Sequence, residues 1–242
     1  RRSVLQVPGD LGQRVREGRD MHDMAWLRSK REPKSISALG TIRICDLFSG
    51  CGGISIGVRE ACRALELNME PVLARDVLEG AERVYQQNFK AGSFRRDPIE
   101  KIIDGEIGSP KTETEIELLD EIGPIDLVVG GPPCQGNSDL NNHSRRTDAK
   151  NLLYLRMTRF IEIVRPKIAI IENVLTVRRA VDEVVQNTVE FLKRLGYGVD
   201  HGALRAMDFG VPQDRRRHFT VAVLGEPFDF ESLDVGHVDG IR

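Results

Sequence analysis

The sequence predicts an α/β fold, in which a mostly parallel, twisted sheet carries helices on both faces. From Thr41 onward, short runs rich in β-branched residues alternate with longer amphipathic stretches, which is the pattern of strands connected by helices. The chain has 242 residues, enough for one large α/β domain and an extension. We therefore expect an N-terminal arm over residues 1–40, partly helical near Met21–Ser29, and one domain over residues 41–242.

The predicted elements alternate in a regular order. Each predicted strand is a short apolar run between turn-forming or polar residues, and each predicted helix repeats its apolar residues every three or four positions. The polar stretch from Ala91 to Pro110 is expected to be mainly loop. In chain order the elements are strand Ile42–Leu47, helix Ile54–Leu67, strand Val72–Ala74, helix Glu79–Phe89, a helix within Glu113–Glu121, strand Ile125–Val129, helix Leu152–Val164, strand Ile168–Ile171, helix Val181–Leu195, strand Gly198–Leu204 and strand Phe219–Leu224.

The composition is that of an ordinary folded domain, with 40% hydrophobic and 30% charged residues. The four cysteines show no C-x-x-C spacing, so we expect neither a metal site nor a disulfide framework. No apolar run approaches a membrane span, and no signal-peptide pattern opens the chain. We therefore expect a cytoplasmic protein with reduced thiols and no membrane partner. The net charge of −2 does not favour nucleic-acid binding.

A glycine-rich turn follows the first predicted strand. Gly50, Gly52 and Gly53 would let a ligand approach the backbone at the start of a helix, but their spacing departs from the G-x-G-x-x-G of pyrophosphate binders. Asp76, at the end of the second strand, is placed either to bind a ribose diol or to cap the next helix. The turn and the acid together indicate a nucleoside-containing cofactor without phosphates, such as S-adenosylmethionine.

A second turn carries the most reactive side chain. Residues 130–138 read Gly-Gly-Pro-Pro-Cys-Gln-Gly-Asn-Ser and follow an apolar strand. The glycines allow a sharp bend and the prolines stiffen it. Because an α/β enzyme places working groups on rigid loops at strand ends, Cys134 is a candidate nucleophile. The alternative interpretation is a buried, inert cysteine.

Four segments in order resemble a DNA (cytosine-5) methyltransferase, and the resemblance covers about Arg43 to Leu224. The segments are Asp46–Gly53, Gly131–Ser138, Glu172-Asn173-Val174 and Gln213-Asp214-Arg215-Arg216-Arg217, the last one preceded by Asp208-Phe209-Gly210-Val211-Pro212. The resemblance implies a Rossmann-like, S-adenosylmethionine-dependent methyltransferase fold and activity on double-stranded DNA.

The same resemblance implies the catalytic residues. Cys134 would add to C6 of cytosine, which makes C5 reactive toward a methyl group. Glu172 would contact N3 and the exocyclic amine of the base and help its protonation. Arg215 and Arg217 would orient the glutamate, the base or a nearby phosphate, whereas Arg216 would point away because alternate strand residues face opposite sides.

The resemblance also implies the residues that bind cofactor and DNA. Phe48 would lie against the cofactor and Val77 against its adenine. Asp97 would take the adenine amino group, or is simply a turn residue before proline. The polar segment Asn137–Asn151 would close over DNA and a flipped base. The full cofactor set is Phe48, Ser49, Gly50, Cys51, Gly52, Gly53, Asp76, Val77, Asp97 and Pro132, and the DNA set is Asn137, Ser138, Arg145, Arg146 and Lys150.

Two departures from the family pattern stand out. Asn137 takes the place of the usual Phe, and after Leu224 neither a target-recognition region nor the last Gly-Asn motif follows. We therefore expect the catalytic half of a methyltransferase, either a subunit or a fragment, that needs a second polypeptide segment. A non-catalytic regulatory module, an RNA cytosine-5 methyltransferase and a nicotinamide-dependent oxidoreductase remain as alternatives, and the oxidoreductase leaves Cys134 and Glu172 unexplained.

Overall fold

The computed structural model describes residues 39–133, 149–175 and 182–233, so the predicted arm, with its helix near Met21–Ser29, lies outside the described residues apart from its end. The described parts of the chain contain one sheet and the helices that connect its strands. The strands are β1 Thr41–Leu47, β2 Asn68–Arg75, β3 Ser93–Arg95, β4 Leu127–Gly130, β5 Ile168–Val174, β6 Tyr197–Arg205 and β7 Arg216–Leu224. The helices are α1 Gly53–Ala64, α2 Glu79–Phe89, α3 Glu113–Ile122, α4 Ala149–Val164 and α5 Asp182–Arg194, with 3₁₀ turns at Ile99–Lys101 and Ala206–Phe209.

The sheet has the order β3-β2-β1-β4-β5-β7-β6. All the pairings from β3 to β5 are parallel, and β7 lies antiparallel between β5 and β6. The predicted α/β fold with a mostly parallel sheet is thereby confirmed. Strand order reverses between β1 and β4, and a crevice at the carboxyl ends of such strands is where open α/β sheets bind ligands.

Both faces of the sheet are covered, as predicted. Leu73 and Ala74 are neighbours on β2 and therefore point to opposite faces. Leu73 belongs to the large core with Met157 and Phe160 of α4, whereas Ala74 packs with Tyr85 of α2 in a second, smaller core. All five side chains are fully buried.

Several predicted boundaries were wrong. β3 occurs inside the stretch that was expected to be loop, where its three residues pair with Leu73–Arg75 of β2. So short a polar edge strand shows no periodicity in the sequence, and only its partner strand defines it. The first helix ends at Ala64 rather than Leu67, because Glu66 turns the chain with φ of 56°. β7 begins at Arg216, not at Phe219, so part of the arginine cluster belongs to a strand.

A buried ion pair joins α3 to α4. Glu115 and Arg159 have exposed fractions of 0% and 1%, and Arg159 donates to both Glu115 oxygens at 2.9 and 2.6 Å. Glu115 also accepts from the backbone N–H groups of Gly105 and Thr112, and its own N–H donates to the Thr112 hydroxyl in a capping box. Burial opposes ionisation of Glu115, but the bonds from Arg159 and the two backbone N–H groups outweigh it and lower its pKa.

None of the helices in the described residues is long and apolar enough to cross a membrane. Within the same ranges, no three His, Cys, Asp or Glu side chains are grouped so that they could hold a metal ion.

Candidate active site

The glycine turn after β1 adopts left-handed backbone conformations that constrain its sequence. Gly50 has φ of 51° and Gly52 has φ of 89°, and Gly52 is the N-cap of α1. A Cβ atom on Gly52 would lie 2.3 Å from the ring of Phe89, so only glycine fits there. A Cβ atom on Gly50 or Gly53 would meet nothing within 4 Å, which leaves open space in front of the turn.

Beneath this turn lie two buried polar atoms without a partner. They are the Ser49 hydroxyl and one carboxylate oxygen of Asp46, and these residues are 8% and 1% exposed. The other Asp46 oxygen accepts from Ser55 at 2.5 Å, and Ser55 is 2.8 Å from the Tyr85 hydroxyl. Burial raises the pKa of Asp46 to about 7, against the hydrogen bond from Ser55, and the like charge of Asp76 adds to the rise. Buried polar atoms of this kind call for a ligand or water.

Asp46 was not among the residues predicted to form the site. The signal was present, because an acid stands inside the apolar run Ile44-Cys45-Asp46-Leu47. An acid in a buried strand needs a partner, and the periodicity of the strand gives no indication of which one.

Asp76 lies where the turn and the end of β2 meet. One of its oxygens accepts from the Gly50 N–H at 2.9 Å and the other from the Leu78 N–H at 2.9 Å. The helix-cap interpretation of Asp76 was wrong, because α2 begins at Glu79 and its N-cap is Leu78. The predicted cofactor residues Gly50 and Asp76 are therefore brought together by direct contact.

The other predicted cofactor residues surround the same end of the sheet. Phe48 has φ of 58°, is partly buried and packs against the large core, and Cys51 is exposed. Val77 follows Asp76 and is 54% exposed. Asp97 is exposed in the turn after β3, and Pro132 is buried just beyond β4.

A second cluster forms where β5 and β7 pair. The Glu172 carboxylate is 2.9 Å from Nε of Arg217 and 3.8 Å from a terminal nitrogen of Arg215. Arg216 instead lies 4.0 Å from Asp214, as strand alternation predicts. The three arginines thus divide into two that contact the glutamate and one that does not.

Glu172 also lies against the chain that leaves β4. A Cβ atom on Gly131 would be 3.0 Å from the second Glu172 oxygen, so this glycine lets the carboxylate approach the backbone closely. Gly131 stands three positions before Cys134 in the sequence. Of the remaining predicted residues, Lys150 lies in the first turn of α4, and Cys134, Asn137, Ser138, Arg145 and Arg146 lie outside the described residues.

The fold therefore places a glycine turn that contacts Asp76, and a cluster of Glu172 with Arg215 and Arg217, at the carboxyl ends of strands in an α/β sheet. The model of the C-5 cytosine-specific DNA methylase family matches residues 42–232, so the chain belongs to that family. The family resemblance read from the sequence is thereby confirmed.

Individual relatives agree with this placement. The chain is 43% identical to the type II methyltransferase M1.BsuMI of Bacillus subtilis over 203 residues, which are 84% of this chain and 48% of the relative. It is 35% identical to the type II methyltransferase M.AgeI of Thalassovita gelatinovora, covering 83% of this chain and 44% of that protein. The chain therefore spans about half the length of these curated relatives.

Solved structures show the same fold. The crystal structure of a DNA modification methyltransferase encoded within an E. coli prophage has a TM-score of 0.59 and 25% identity, over 76% of this chain and 47% of that one. The Dnmt2 methyltransferase of S. pombe has a TM-score of 0.58 and 21% identity, over 78% of this chain and 53% of that one.

Proposed function

We propose that this chain carries the catalytic half of a DNA cytosine-5 methyltransferase that uses S-adenosylmethionine. The observation that carries the proposal is the Glu172 carboxylate, held by Arg215 and Arg217 and lying against Gly131, in a chain of this family. Because Gly131 leads directly into the turn with Cys134, a base-binding carboxylate and a nucleophile would face the same pocket.

In the proposed mechanism Cys134 is the nucleophile. Its thiolate adds to C6 of a cytosine that has been flipped out of the duplex, and this addition makes C5 electron-rich. Once C5 carries the methyl group, loss of the C5 proton breaks the sulfur–C6 bond and restores the thiolate. Glu172 holds N3 and the amine of the base, and its contact with Arg217 fixes the direction in which the carboxylate points. The forked guanidinium suits this task better than an ammonium group would.

The glycine turn would hold the cofactor. The open space before Gly50 and Gly53, the unpartnered oxygens of Ser49 and Asp46 and the acid Asp76 fit a ligand with a cationic amino acid end and a ribose. Phe48, Val77, Asp97 and Pro132 would line the nucleoside part, with the backbone around Cys51 and Gly52 at the amino acid end. When bound, S-adenosylmethionine supplies an electrophilic methyl group.

The proposed DNA contacts come from the segment after the nucleophile. Arg145, Arg146 and Lys150 would bind phosphate groups, and Asn137 and Ser138 would lie beside the base as that segment closes. We also propose that a second polypeptide segment supplies target recognition, since the matched relatives are about twice as long. In a bacterium such a protein would act in the cytoplasm, where the DNA is.

A trapping experiment tests the catalytic proposal. DNA in which 5-fluorocytosine replaces cytosine is incubated with S-adenosylmethionine and the chain, alone and together with the part of M1.BsuMI that lies outside the matched region. We expect a covalent protein–DNA adduct that maps to Cys134 and is absent in Cys134→Ser. Arg217→Ala should lower the yield of adduct, because Glu172 loses its partner at 2.9 Å, and Arg216→Ala is the matched control, because Arg216 does not contact Glu172.

The outcomes separate the parts of the proposal. An adduct that requires the added segment supports the need for a second polypeptide, and an adduct from the chain alone contradicts that need. Binding of both DNA and S-adenosylmethionine without any adduct at Cys134 would contradict the covalent mechanism and favour a non-catalytic module.

A further inference from the structure

Arg75 is a buried cation that sequence reasoning did not select. It ends β2, directly before Asp76, and is 3% exposed. Arginine is rarely buried to this extent without a specific set of partners. The contacts of the Arg75 side chain therefore indicate its structural role.

The Arg75 guanidinium joins two separate turns. Its Nε and one terminal nitrogen donate to the backbone carbonyl of Asp97 at 2.8 and 2.6 Å. Its central carbon lies 5.4 Å from the ring centre of Phe48. The Arg75 carbonyl also accepts from the Ser49 N–H at 3.0 Å, which fixes the backbone after Phe48.

Both turns need contacts from residues outside them to keep their conformation. Phe48 has φ of 58°, a left-handed conformation that a bulky residue keeps only when its surroundings hold it. The Asp97 turn follows β3, a strand of only three residues, and therefore has little support from the sheet. Arg75 holds both turns with one planar group that stacks and donates in a fork, which a lysine cannot do.

The charges around Arg75 also indicate that it stabilises these two turns. Three acids act on it, namely Asp76, Asp97 and Glu100. The positive charge of Arg75 offsets part of the repulsion between Asp76 and Asp97, the acids proposed to bind the ribose and the adenine.

We propose that Arg75 is a positioning residue that assembles the nucleoside half of the cofactor pocket, by tying the Phe48 turn and the Asp97 turn to the strand that carries Asp76. This inference rests on the proposed function, in which these residues bind S-adenosylmethionine. Arg75 itself would not touch the cofactor and would act through its neighbours.

The test measures binding, not turnover. Affinities for S-adenosylhomocysteine and for its inosine counterpart are determined by calorimetry for the wild type, Arg75→Lys and Arg75→Met. The control is Arg96→Met, because Arg96 is exposed and pairs only loosely with Glu79 and Glu82 of α2. We expect the Kd for the adenosine ligand to rise about tenfold or more in both Arg75 variants, because binding must now order two loose turns.

If Arg75 positions the Asp97 turn specifically, the Arg75 variants should show further effects besides weaker binding. The loss should be smaller for the inosine ligand, which lacks the amino group that Asp97 would take. It should also be smaller when Arg75→Lys is made in an Asp97→Ala background, because interacting residues are not additive. Amide hydrogen exchange of the ligand-free protein should rise around Ser49 and Asp97 in the Arg75 variants and stay unchanged in Arg96→Met.

The outcomes are distinguishable. If the wild type binds neither ligand, the cofactor assignment fails and the inference fails with it. If the wild type binds and Arg75→Lys binds equally well, with unchanged exchange, only the inference is overturned. If Arg75→Met does not fold, Arg75→Lys alone decides, because it keeps the charge and removes the fork.

Discussion

Glu115 and Asp46 are both carboxylates removed from solvent, and they differ in everything that surrounds them. Glu115 accepts two bonds from Arg159 and two from backbone N–H groups. Asp46 accepts one bond from Ser55 and keeps an oxygen without a partner. Accordingly, the pKa of Glu115 is lowered and that of Asp46 is raised to about 7. A buried acid that is fully paired holds the fold, whereas one left incomplete at a strand end points to a ligand.

The largest effect is expected where the pairing is complete. Arg159→Met would leave Glu115 buried and uncompensated, so the free energy of unfolding should fall by about 3–5 kcal/mol. Denaturant unfolding measures this, with Arg96→Met as control, since an exposed pair contributes only about 0–1 kcal/mol. Equal losses in the two variants would contradict the contrast between buried and exposed pairs.

Asp46, unlike Glu115, should destabilise the folded protein when it is charged. Because its pKa is raised in the folded state, its contribution to stability is fully present below the unfolded value of 3.8 and is lost as the pH rises to about 7. The free energy of unfolding of Asp46→Asn, relative to the wild type, should therefore increase by about 4 kcal/mol between pH 4 and pH 8. Thermal unfolding across this range measures the difference, and affinity for S-adenosylmethionine should fall in the same variant.

Asp126 provides the matched control for that pH profile. Burial raises its pKa, but bonds from the Arg43 N–H and from Lys167 outweigh this and lower it overall. Its contribution is therefore present at neutral pH and is lost as the pH falls. Asp126→Asn should destabilise the protein at pH 7 and less so at low pH. If the stability difference between variant and wild type changed with pH in the same direction for Asp126→Asn as for Asp46→Asn, the opposite pKa shifts assigned to the two acids would be contradicted.

Ser55 is the one hydrogen-bond donor to Asp46 among the described residues that the structure identifies. Ser55→Ala should cost about 1.5–3 kcal/mol at pH 8, where Asp46 is charged, and less at pH 5, where it is protonated. Tyr85→Phe leaves the Ser55 donor in place and should show a smaller loss with little change with pH. Chemical denaturation of both variants at the two pH values measures the difference.

The smallest effect belongs to the capping box that supports Glu115. Thr112→Ala removes the hydroxyl that accepts from the Glu115 N–H at 3.1 Å but leaves the Arg159 pair intact. We expect a loss of about 1 kcal/mol in the free energy of unfolding. Thr112→Ala also removes a hydroxyl bond to Asp104, so the control is Thr114→Ala, at the second residue of α3, whose hydroxyl donates to the same carboxylate. An equal loss in Thr114→Ala would show that the cap itself contributes nothing.

The pattern of the sequence predicted most of the fold because periodicity reports burial. Strands such as Ile168–Val174 and helices such as α2 were found with their approximate bounds. It failed at β3, which is too short to show a period, and at the start of β7, where polar arginines hid the strand. For the candidate site, the motifs pointed to Glu172, Arg217 and Asp76, because the spacing of residues within a segment can be read along the chain.

The sequence by itself determined the family, the order of the elements and the residue types that the chemistry needs. Only the tertiary structure showed that one Asp76 oxygen accepts from the Gly50 N–H, and that Arg75 and an unpartnered oxygen of Asp46 are buried next to residues of the candidate site. It also gave the distances that join Arg215 and Arg217, but not Arg216, to Glu172. The reason is physical. A motif records neighbours along the chain, whereas burial and hydrogen bonding depend on residues that the folded sheet brings together from distant strands.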